Sequence, residues 1–411
     1  MKNQFLNFSL IIVIASFALA SCTKDEGAYL GVIKVQISAP TDFPNQSVSG
    51  LEVTLLNTSD NTTRKATTDA NGLVTFNNTP VGVYNINTSI KLSLSLTLNG
   101  VAQNVALTPN EIKQVNVPLI GVPASDGFVI KEIFFAGKQD YSQTDRFFEI
   151  YNNSNKTLYA DNLYFADLAG YTGSNVNDAV LNLPLDQYYY AMRVAKIPGT
   201  GTTYPVQAGK SIVIAFNAMN FKEGFNPTNW AKLTIEDYLD LSGSDFEMYA
   251  FPFLETKGFT GNATFDINNP SVPNVDILYM YNAANNAFFR LNDYGPGLVI
   301  FKPEGQFSTT DVIESPLSTA TNKLYFLKIP VSSVIDGVDV LDNSGASKYK
   351  RMTNIVDAGF TYLKPDGKAF YSNMSIRRKV ERTDGDRKVL KDTNNSTNDF
   401  EAISRPTPRT I

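Results

Sequence analysis

Apolar and polar positions alternate in short runs between Gly31 and Leu119. The runs are Val32-Ile33-Lys34-Val35-Gln36-Ile37, Leu51-Glu52-Val53-Thr54-Leu55, Leu73-Val74-Thr75-Phe76, Val83-Tyr84-Asn85-Ile86, Leu92-Ser93-Leu94-Ser95-Leu96 and Ile112-Lys113-Gln114-Val115-Asn116-Val117. A period of two places alternate side chains on opposite faces of a strand, and turn residues recur between the runs. The pattern predicts an all-β sandwich over 31–120. Gly121-Val122-Pro123-Ala124-Ser125-Asp126-Gly127 then reads as a linker, 121–127. Phe128-Val129-Ile130-Lys131-Glu132-Ile133-Phe134-Phe135 opens a second, larger β unit, 128–411. One apolar stretch breaks the alternation: Leu6 to Ala20, after a single Lys2, too short to span a bilayer comfortably and read as a signal peptide, 1–21.

The signal peptide ends in Leu19-Ala20-Ser21-Cys22, which resembles the bacterial lipobox. The resemblance implies cleavage between Ser21 and Cys22, lipid on the Cys22 thiol, and a lipidated tether over 22–30. Cys22 is the only cysteine, so no disulfide competes for it. Lys24, Asp25 and Glu26 follow, and an acidic pair just after the lipidated cysteine resembles the surface-export signal of Bacteroidota lipoproteins. The expected address is the outer membrane, lipid-anchored and facing the exterior, with the bilayer as first partner.

Within the first unit, Asp69-Ala70-Asn71-Gly72 leads to Pro80-Val81-Gly82-Val83-Tyr84, an arrangement that resembles the carboxypeptidase-regulatory or transthyretin-like family. Asn71-Gly72 supplies the backbone freedom for a tight reversal, and Tyr84 is expected to close the sandwich edge. In the second unit, Phe147-Phe148-Glu149-Ile150-Tyr151-Asn152 followed by Leu163-Tyr164-Phe165-Ala166-Asp167 resembles the lamin-tail domain, an immunoglobulin-like sandwich. Further echoes stand at Gly209 to Ala215, Val275 to Tyr279, Asn373 to Lys379 and Asp392 to Phe400. Together these motifs resemble a Bacteroidota surface-lipoprotein family with a lamin-tail-like core behind a transthyretin-like sandwich. Such a core needs roughly a hundred residues, whereas this unit has 284. Insertions at 169–208, 218–272 and 285–370 are therefore expected, and loops on a rigid sandwich are where recognition is expected to sit.

Composition narrows the chemistry. There is no histidine, and lipidation consumes the one thiol, so Ser-His-Asp triads, Cys-His dyads and histidine-bound metals are unavailable. Removing residues 1–21 takes away one lysine and no acid, which shifts the net charge from −5 to −6. A mildly acidic chain argues against nucleic acid as partner. The basic run Ile376-Arg377-Arg378-Lys379-Val380-Glu381-Arg382 reads as a charged, exposed edge strand.

Candidate recognition residues lie in the insertions. Tyr188, Tyr189 and Tyr190 with Arg193 form an aromatic surface for a sugar, peptide or protein, or else one face of them is core. Trp230, among Phe221, Phe225 and several asparagines, is either a recognition residue or a core anchor. Tyr294-Gly295-Pro296-Gly297 is placed to hold Tyr294 on a loop tip or to close a hairpin over its own aromatics. The acids Asp237, Asp240, Asp245 and Glu247, and Asp384 and Asp386 with Asp392 and Asp399, read as solvated turns, with glycoside hydrolysis or calcium binding as alternatives. The expectation is therefore a non-enzymatic surface lipoprotein, with no cofactor and no metal. It would bind a carbohydrate or peptide ligand or dock on an outer-membrane β-barrel, as accessory to a TonB-dependent nutrient transporter. The alternatives are a structural subunit or adhesin, and a carboxylate-dependent hydrolase.

Overall fold

The computed structural model describes residues 29–93, 96–123, 127–137, 145–170, 182–223, 238–261, 266–286, 288–367 and 372–410. The signal peptide, Cys22, the Lys24-Asp25-Glu26 motif and Trp230 lie outside the described residues. Among the described residues no helix is long and apolar enough to cross a membrane.

Five of the six alternating runs lie in strands; the sixth, Leu92 to Leu96, instead spans the end of one strand and the start of the next, with residues 94 and 95 outside the described residues. The first unit contains β1 (Leu30–Ser38), β2 (Glu52–Asn57), β3 (Thr63–Thr67), β4 (Leu73–Pro80), β5 (Gly82–Ser93), β6 (Leu96–Leu107), β7 (Ile112–Pro118) and β8 (Ile120–Pro123). They make a three-stranded sheet, β4-β1-β7, and a five-stranded sheet, β3-β2-β5-β6-β8. Ile33, Val35 and Ile37 of β1 face Val53, Leu55, Ile86 and Leu98 across one buried core, while the residues between them stay partly exposed. The Asp69 carboxylate accepts the Asn71 and Leu73 backbone N–H groups at 2.8 and 2.9 Å, and Gly72 takes the left-handed conformation, φ +79°. The buried Tyr84 donates its hydroxyl to the Pro80 carbonyl at 2.5 Å, which pins the edge as expected. The expected linker starts too early. Gly121 and Val122 are part of β8, paired to β6, and Val122 is fully buried, so an apolar residue inside a Gly- and Pro-rich stretch belongs to the core.

The second unit comprises β9 (Phe128–Phe134), β10 (Phe147–Asn152), β11 (Leu158–Tyr159), β12 (Tyr164–Leu168), β13 (Tyr188–Lys196), β14 (Pro205–Val206), β15 (Ser211–Ala215), β16 (Phe246–Glu247) and β17 (Asp276–Met280). It continues with β18 (Gly297–Phe301), β19 (Val312–Glu314), β20 (Tyr325–Pro330), β21 (Val334–Asp339), β22 (Ser375–Arg378), β23 (Val380–Asp384), β24 (Arg387–Leu390) and β25 (Phe400–Ile403). A six-stranded sheet, β16-β15-β10-β9-β22-β25, packs against a seven-stranded one, β19-β20-β13-β12-β18-β21 with β17 beside β13. Ile130, Ile133, Phe148, Ile150, Phe165, Ile214, Leu298 and Ile300 fill the space between them.

The outer faces of this sandwich are also covered. Phe221, Tyr238, Leu239, Leu241 and Val272 pack on the Phe134, Phe147 and Val213 side of the six-stranded sheet. Leu327, Ile329, Met352 and Val356 pack with Tyr189, Val194, Val299 and Phe301 on the far side of the other. The described parts of the segments read as recognition insertions are therefore largely scaffold: residues 188–196 form the interior strand β13, residues 221, 238–241 and 272 cover one sheet, and 297–339 supply β18 to β21. Covering a second face adds apolar burial at about 25 cal/mol per Å², so strands buried on both sides lose the alternation that marks a half-exposed strand.

The basic run is not an edge strand. β22 lies between β9 and β25, and its Arg378 is buried. Arg378 donates to Asp336 at 2.6 Å, to Asp392 at 3.1 Å and to the carbonyls of Ile130 and Lys391 at 2.8 and 3.1 Å. Asp399 stands 3.7 Å away, and the guanidinium sits 4.5 Å from the centre of the Phe400 ring. Three carboxylates, Asp336 from one segment and Asp392 and Asp399 from another, make burial of this cation tolerable. Burial pushes the Asp399 carboxyl up to about 7 and that of Asp336 to about 6, against the pull of Arg378.

Candidate functional site

Strand β13 places the tyrosine triplet. Tyr189 and Tyr190 are buried on opposite faces, because β13 is an interior strand with apolar packing on both sides. Tyr189 shares a 2.8 Å hydrogen bond with the Thr353 hydroxyl, and burial pushes its own hydroxyl up to about 12. Tyr190 donates to the Pro184 carbonyl at 2.8 Å. Tyr188 is half-buried, with the Lys328 ammonium 5.3 Å from its ring centre. Of the two readings of the triplet, the core one holds and extends to both faces, with Tyr189 and Tyr190 buried; hydrogen-bonded hydroxyls permit two tyrosines to be buried back to back.

Arg193, further along the same strand, takes a different role. Its side chain is buried and donates to Asp167 of β12 at 2.9 Å. Burial raises the Asp167 carboxyl to about 6 despite Arg193 and Arg351. Among the described residues the pair is incompletely satisfied: Asp167 Oδ1 and Arg193 Nε find no hydrogen-bond partner there.

Arg193 lines a pocket of about 260 Å³ with Met192, Tyr281, Asn282, Asn286, Arg290, Asn292, Asp293 and Tyr294. This brings together Arg193 and Tyr294, two candidates that lie a hundred residues apart in sequence. Tyr294 is 49% exposed. Its loop is held because the Tyr294 N–H donates to Asn292 Oδ1 at 2.9 Å and Gly295 adopts φ +112°. A Cβ at Gly295 would come within 2.4 Å of the Val340 carbonyl oxygen, so only glycine lets the loop lie this close to β21 and its continuation. Asn286 donates to the carbonyls of Tyr281 and Asn282 at 2.7 and 2.9 Å, with Asn282 in the left-handed region at φ 51°. Tyr281 stacks on Phe326, with ring centres 5.2 Å apart. Arg290 stands 3.5 Å from Asp293, which also pairs with the buried Arg146.

Two guanidinium groups, three amides, two phenols and one carboxylate around a small concavity suit a ligand rich in hydroxyls or carboxylates. Asn282, Asn286 and Arg290 escaped sequence reading, whereas Tyr281 belongs with Tyr279, Phe288 and Phe289 to the aromatics beside the Tyr294 loop that the sequence offers. The spacing of these residues carries no motif, and it is the pairing of β13 with β17 that brings them to Arg193.

The acids read as solvated turns divide. Asp240 caps its own turn, accepting from Ser242. Asp245 accepts the Val213 N–H at 2.7 Å and pairs with Arg409 at 2.8 Å. Glu247 is fully buried and accepts the Ala218 and Asn269 N–H groups at 2.6 and 2.7 Å. Asp392 and Asp399 are buried around Arg378, against the solvated reading, whereas Asp384 stays exposed beside Arg387. Asp237 and Trp230 lie outside the described residues. Among the described residues, no group of three potential metal ligands stands close enough to hold an ion.

The sheets and pocket define an all-β, immunoglobulin-like β-sandwich protein of two units. Residues 207–407 match the family described as "Protein of unknown function (DUF4876)". The fold is that of a solved DUF4876 family protein from Bacteroides thetaiotaomicron VPI-5482, which is 24% identical with a TM-score of 0.52 over 90% of this chain and 94% of that one. Slighter likenesses occur to the Bacillus anthracis TIE protein, 15% identical over 46% of this chain and 28% of that one with a TM-score of 0.19. A Streptococcal ancillary pilin is 12% identical over 61% and 62%, with a TM-score of 0.18. No curated protein matches the chain.

Proposed function

We propose that this chain is a non-enzymatic lipoprotein of the outer-membrane surface, held by lipid on Cys22, which captures a carbohydrate or peptide ligand in the pocket between Arg193 and Tyr294. The observation that carries the reading is the pocket itself, where an incompletely bonded buried arginine, an exposed tyrosine and converging amides meet on a rigid sheet. Supporting it are the lipobox at Leu19 to Cys22, the acidic pair Asp25-Glu26 and the lack of histidine. On this reading the second unit is a lamin-tail-like sandwich enlarged to carry the pocket, and the protein serves a TonB-dependent nutrient transporter as an accessory.

Purification of the full-length protein from detergent-solubilised outer membrane tests this. Recovery with a β-barrel partner or a bound oligosaccharide or peptide supports it; recovery as a bare monomer overturns it. A structural or adhesive role is the second reading, favoured by the amount of insertion committed to roofing the two sheets.

A further inference from the structure

The seam between the two sandwiches holds a larger cavity, of about 360 Å³, lined from the first unit by residues of β2, β3, β5 and β6 and from the second by Phe360, Tyr362, Lys379, Lys391, Thr397 and Asn398. That volume falls within the ~300–1,000 Å³ of small-molecule sites, which favour the junctions of domains. The seam is built by polar contacts. The Tyr362 hydroxyl donates to Asn61 Oδ1 at 2.8 Å, Asn87 Nδ2 donates to Asn398 Oδ1 at 2.9 Å, and Asn99 Nδ2 donates to the Thr393 carbonyl at 2.5 Å.

Its charge is one-sided. The chain carries a net −5, yet the lysines at 65, 379 and 391 line the cavity and no acid does. Lys379 and Lys391 both donate to the neutral Asn398 carbonyl, at 2.9 and 3.3 Å. Among the described residues neither ammonium has a carboxylate within salt-bridge distance, whereas Lys65 at the rim is 2.7 Å from Glu52. The Lys379 ammonium is held below its usual range by burial and by the nearness of Lys391, against a weaker opposing pull from Asp399 and Glu401. Two like charges converging on one dipole, partly out of water, are costly unless an anion joins them. Beside them stand the rings of Phe360 and Tyr362, centres 6.1 Å apart, and the amides of Asn61, Asn85 and Asn87.

We propose that this seam is a second binding site, independent of the Arg193 pocket, for an acidic sugar: Lys379 and Lys391 take the carboxylate or sulfate, while Tyr362 and the seam amides take the ring and its hydroxyls. The site is complete only when both sandwiches are present, so the ligand bridges them.

Calorimetric titration of the full-length protein in detergent tests the proposal, with trigalacturonate, a sulfated chondroitin disaccharide, neutral maltotriose and sodium sulfate as probes. At least one acidic sugar is expected to bind, the neutral trisaccharide not to, and K379Q/K391Q to weaken binding by about tenfold or more through loss of two charge-assisted hydrogen bonds. Which acidic sugar responds separates a uronate from a sulfate ligand. Should K379Q/K391Q fail to fold, Q103W, which fills the cavity from β6, is expected to give the same loss. Equal binding of maltotriose, binding of sulfate as tight as that of the sugars, undiminished binding by the folded variants, or no binding of either acidic sugar each overturns the proposal. Loss in R290Q but not in K379Q/K391Q would place the ligand in the other pocket and overturn it equally.

Discussion

Replacing Arg378 by methionine removes the guanidinium that pairs with Asp336 and Asp392 and stands beside Asp399 inside the second sandwich. The methionine occupies the stem's volume but takes the guanidinium charge away from three buried carboxyl groups and the Arg378 donors away from the Ile130 and Lys391 carbonyls. Breaking a buried ion pair on one side costs about 3–5 kcal/mol. With an m value of about 3 kcal/mol/M, the urea midpoint should fall by about 1–1.7 M. The loss should depend on pH. At pH 5 the stranded carboxyls take up protons and the variant approaches the wild type, whereas at pH 8 they must ionise or stay protonated at growing cost. R378M/D336N/D399N should recover much of the midpoint at pH 8, since the amides need no cation. Urea denaturation followed by circular dichroism at both values reads all three. A midpoint for R378M within about 0.3 M of wild type at pH 8, or a loss equal at both pH values, would refute the view that this hub is held by charge.

Protonation should govern stability more widely. Asp145, Asp266 and Asp399 are each raised to about 7, and Asp167 and Asp336 to about 6, by burial above all. A carboxyl whose folded pKa exceeds its unfolded value of 3.8 binds protons more tightly when folded, so its contribution is complete below pH 4 and declines as pH rises towards 7. Thermal scans should therefore show a higher melting temperature at pH 5 than at pH 8, and the reverse order would contradict these assignments. Asp161 acts oppositely: burial pushes it up, but the N–H groups of Tyr204, Thr203 and Gly201 hold it down to about 2, so its contribution is lost as pH falls from about 4 towards 2. D161N should consequently lose stability at pH 7 and little at pH 2. G295A should lower the unfolding free energy, read by urea denaturation, by more than the ~1 kcal/mol of strain alone, because its methyl meets the Val340 carbonyl, and a neutral outcome would show that the Tyr294 loop moves freely. C22S should abolish incorporation of radiolabelled palmitate and release the chain from the membrane fraction; a lipidated C22S protein would remove Cys22 as the anchor.

The sequence was most informative where strands are half-buried. Alternation located β1, β2, β4 and β7, and Asn71-Gly72 and Tyr84 marked the turn and edge that the hydrogen bonds confirm. Strand β3, Thr63–Thr67, is mostly exposed and escaped notice because no apolar face announces it. In the second unit β9 and β10 are buried along their whole length, with Lys131, Glu132 and Glu149 among the buried residues. Lys131 pairs with Glu149 at 2.8 Å, a satisfied interior pair that in sequence looks like surface charge. Arg378 misled for the same reason, since a basic residue is read as exposed until its partners, as far away as Ile130, 248 positions earlier, are known. The Arg193 pocket was half legible: Arg193 and Tyr294 were singled out, but Tyr281, Asn286 and Arg290 join them only through strand pairing.

A photo-crosslinking phenylalanine analogue installed at Tyr294 in living cells tests the central claim most directly, with the same analogue at Tyr159, which is 44% exposed on a short strand elsewhere, as control. The account predicts an ultraviolet-dependent adduct from position 294 to a saccharide, a peptide or an outer-membrane β-barrel, and none from position 159. Equal labelling from both positions, or none from 294 in cells that display the protein, would contradict a binding role for the Arg193 pocket.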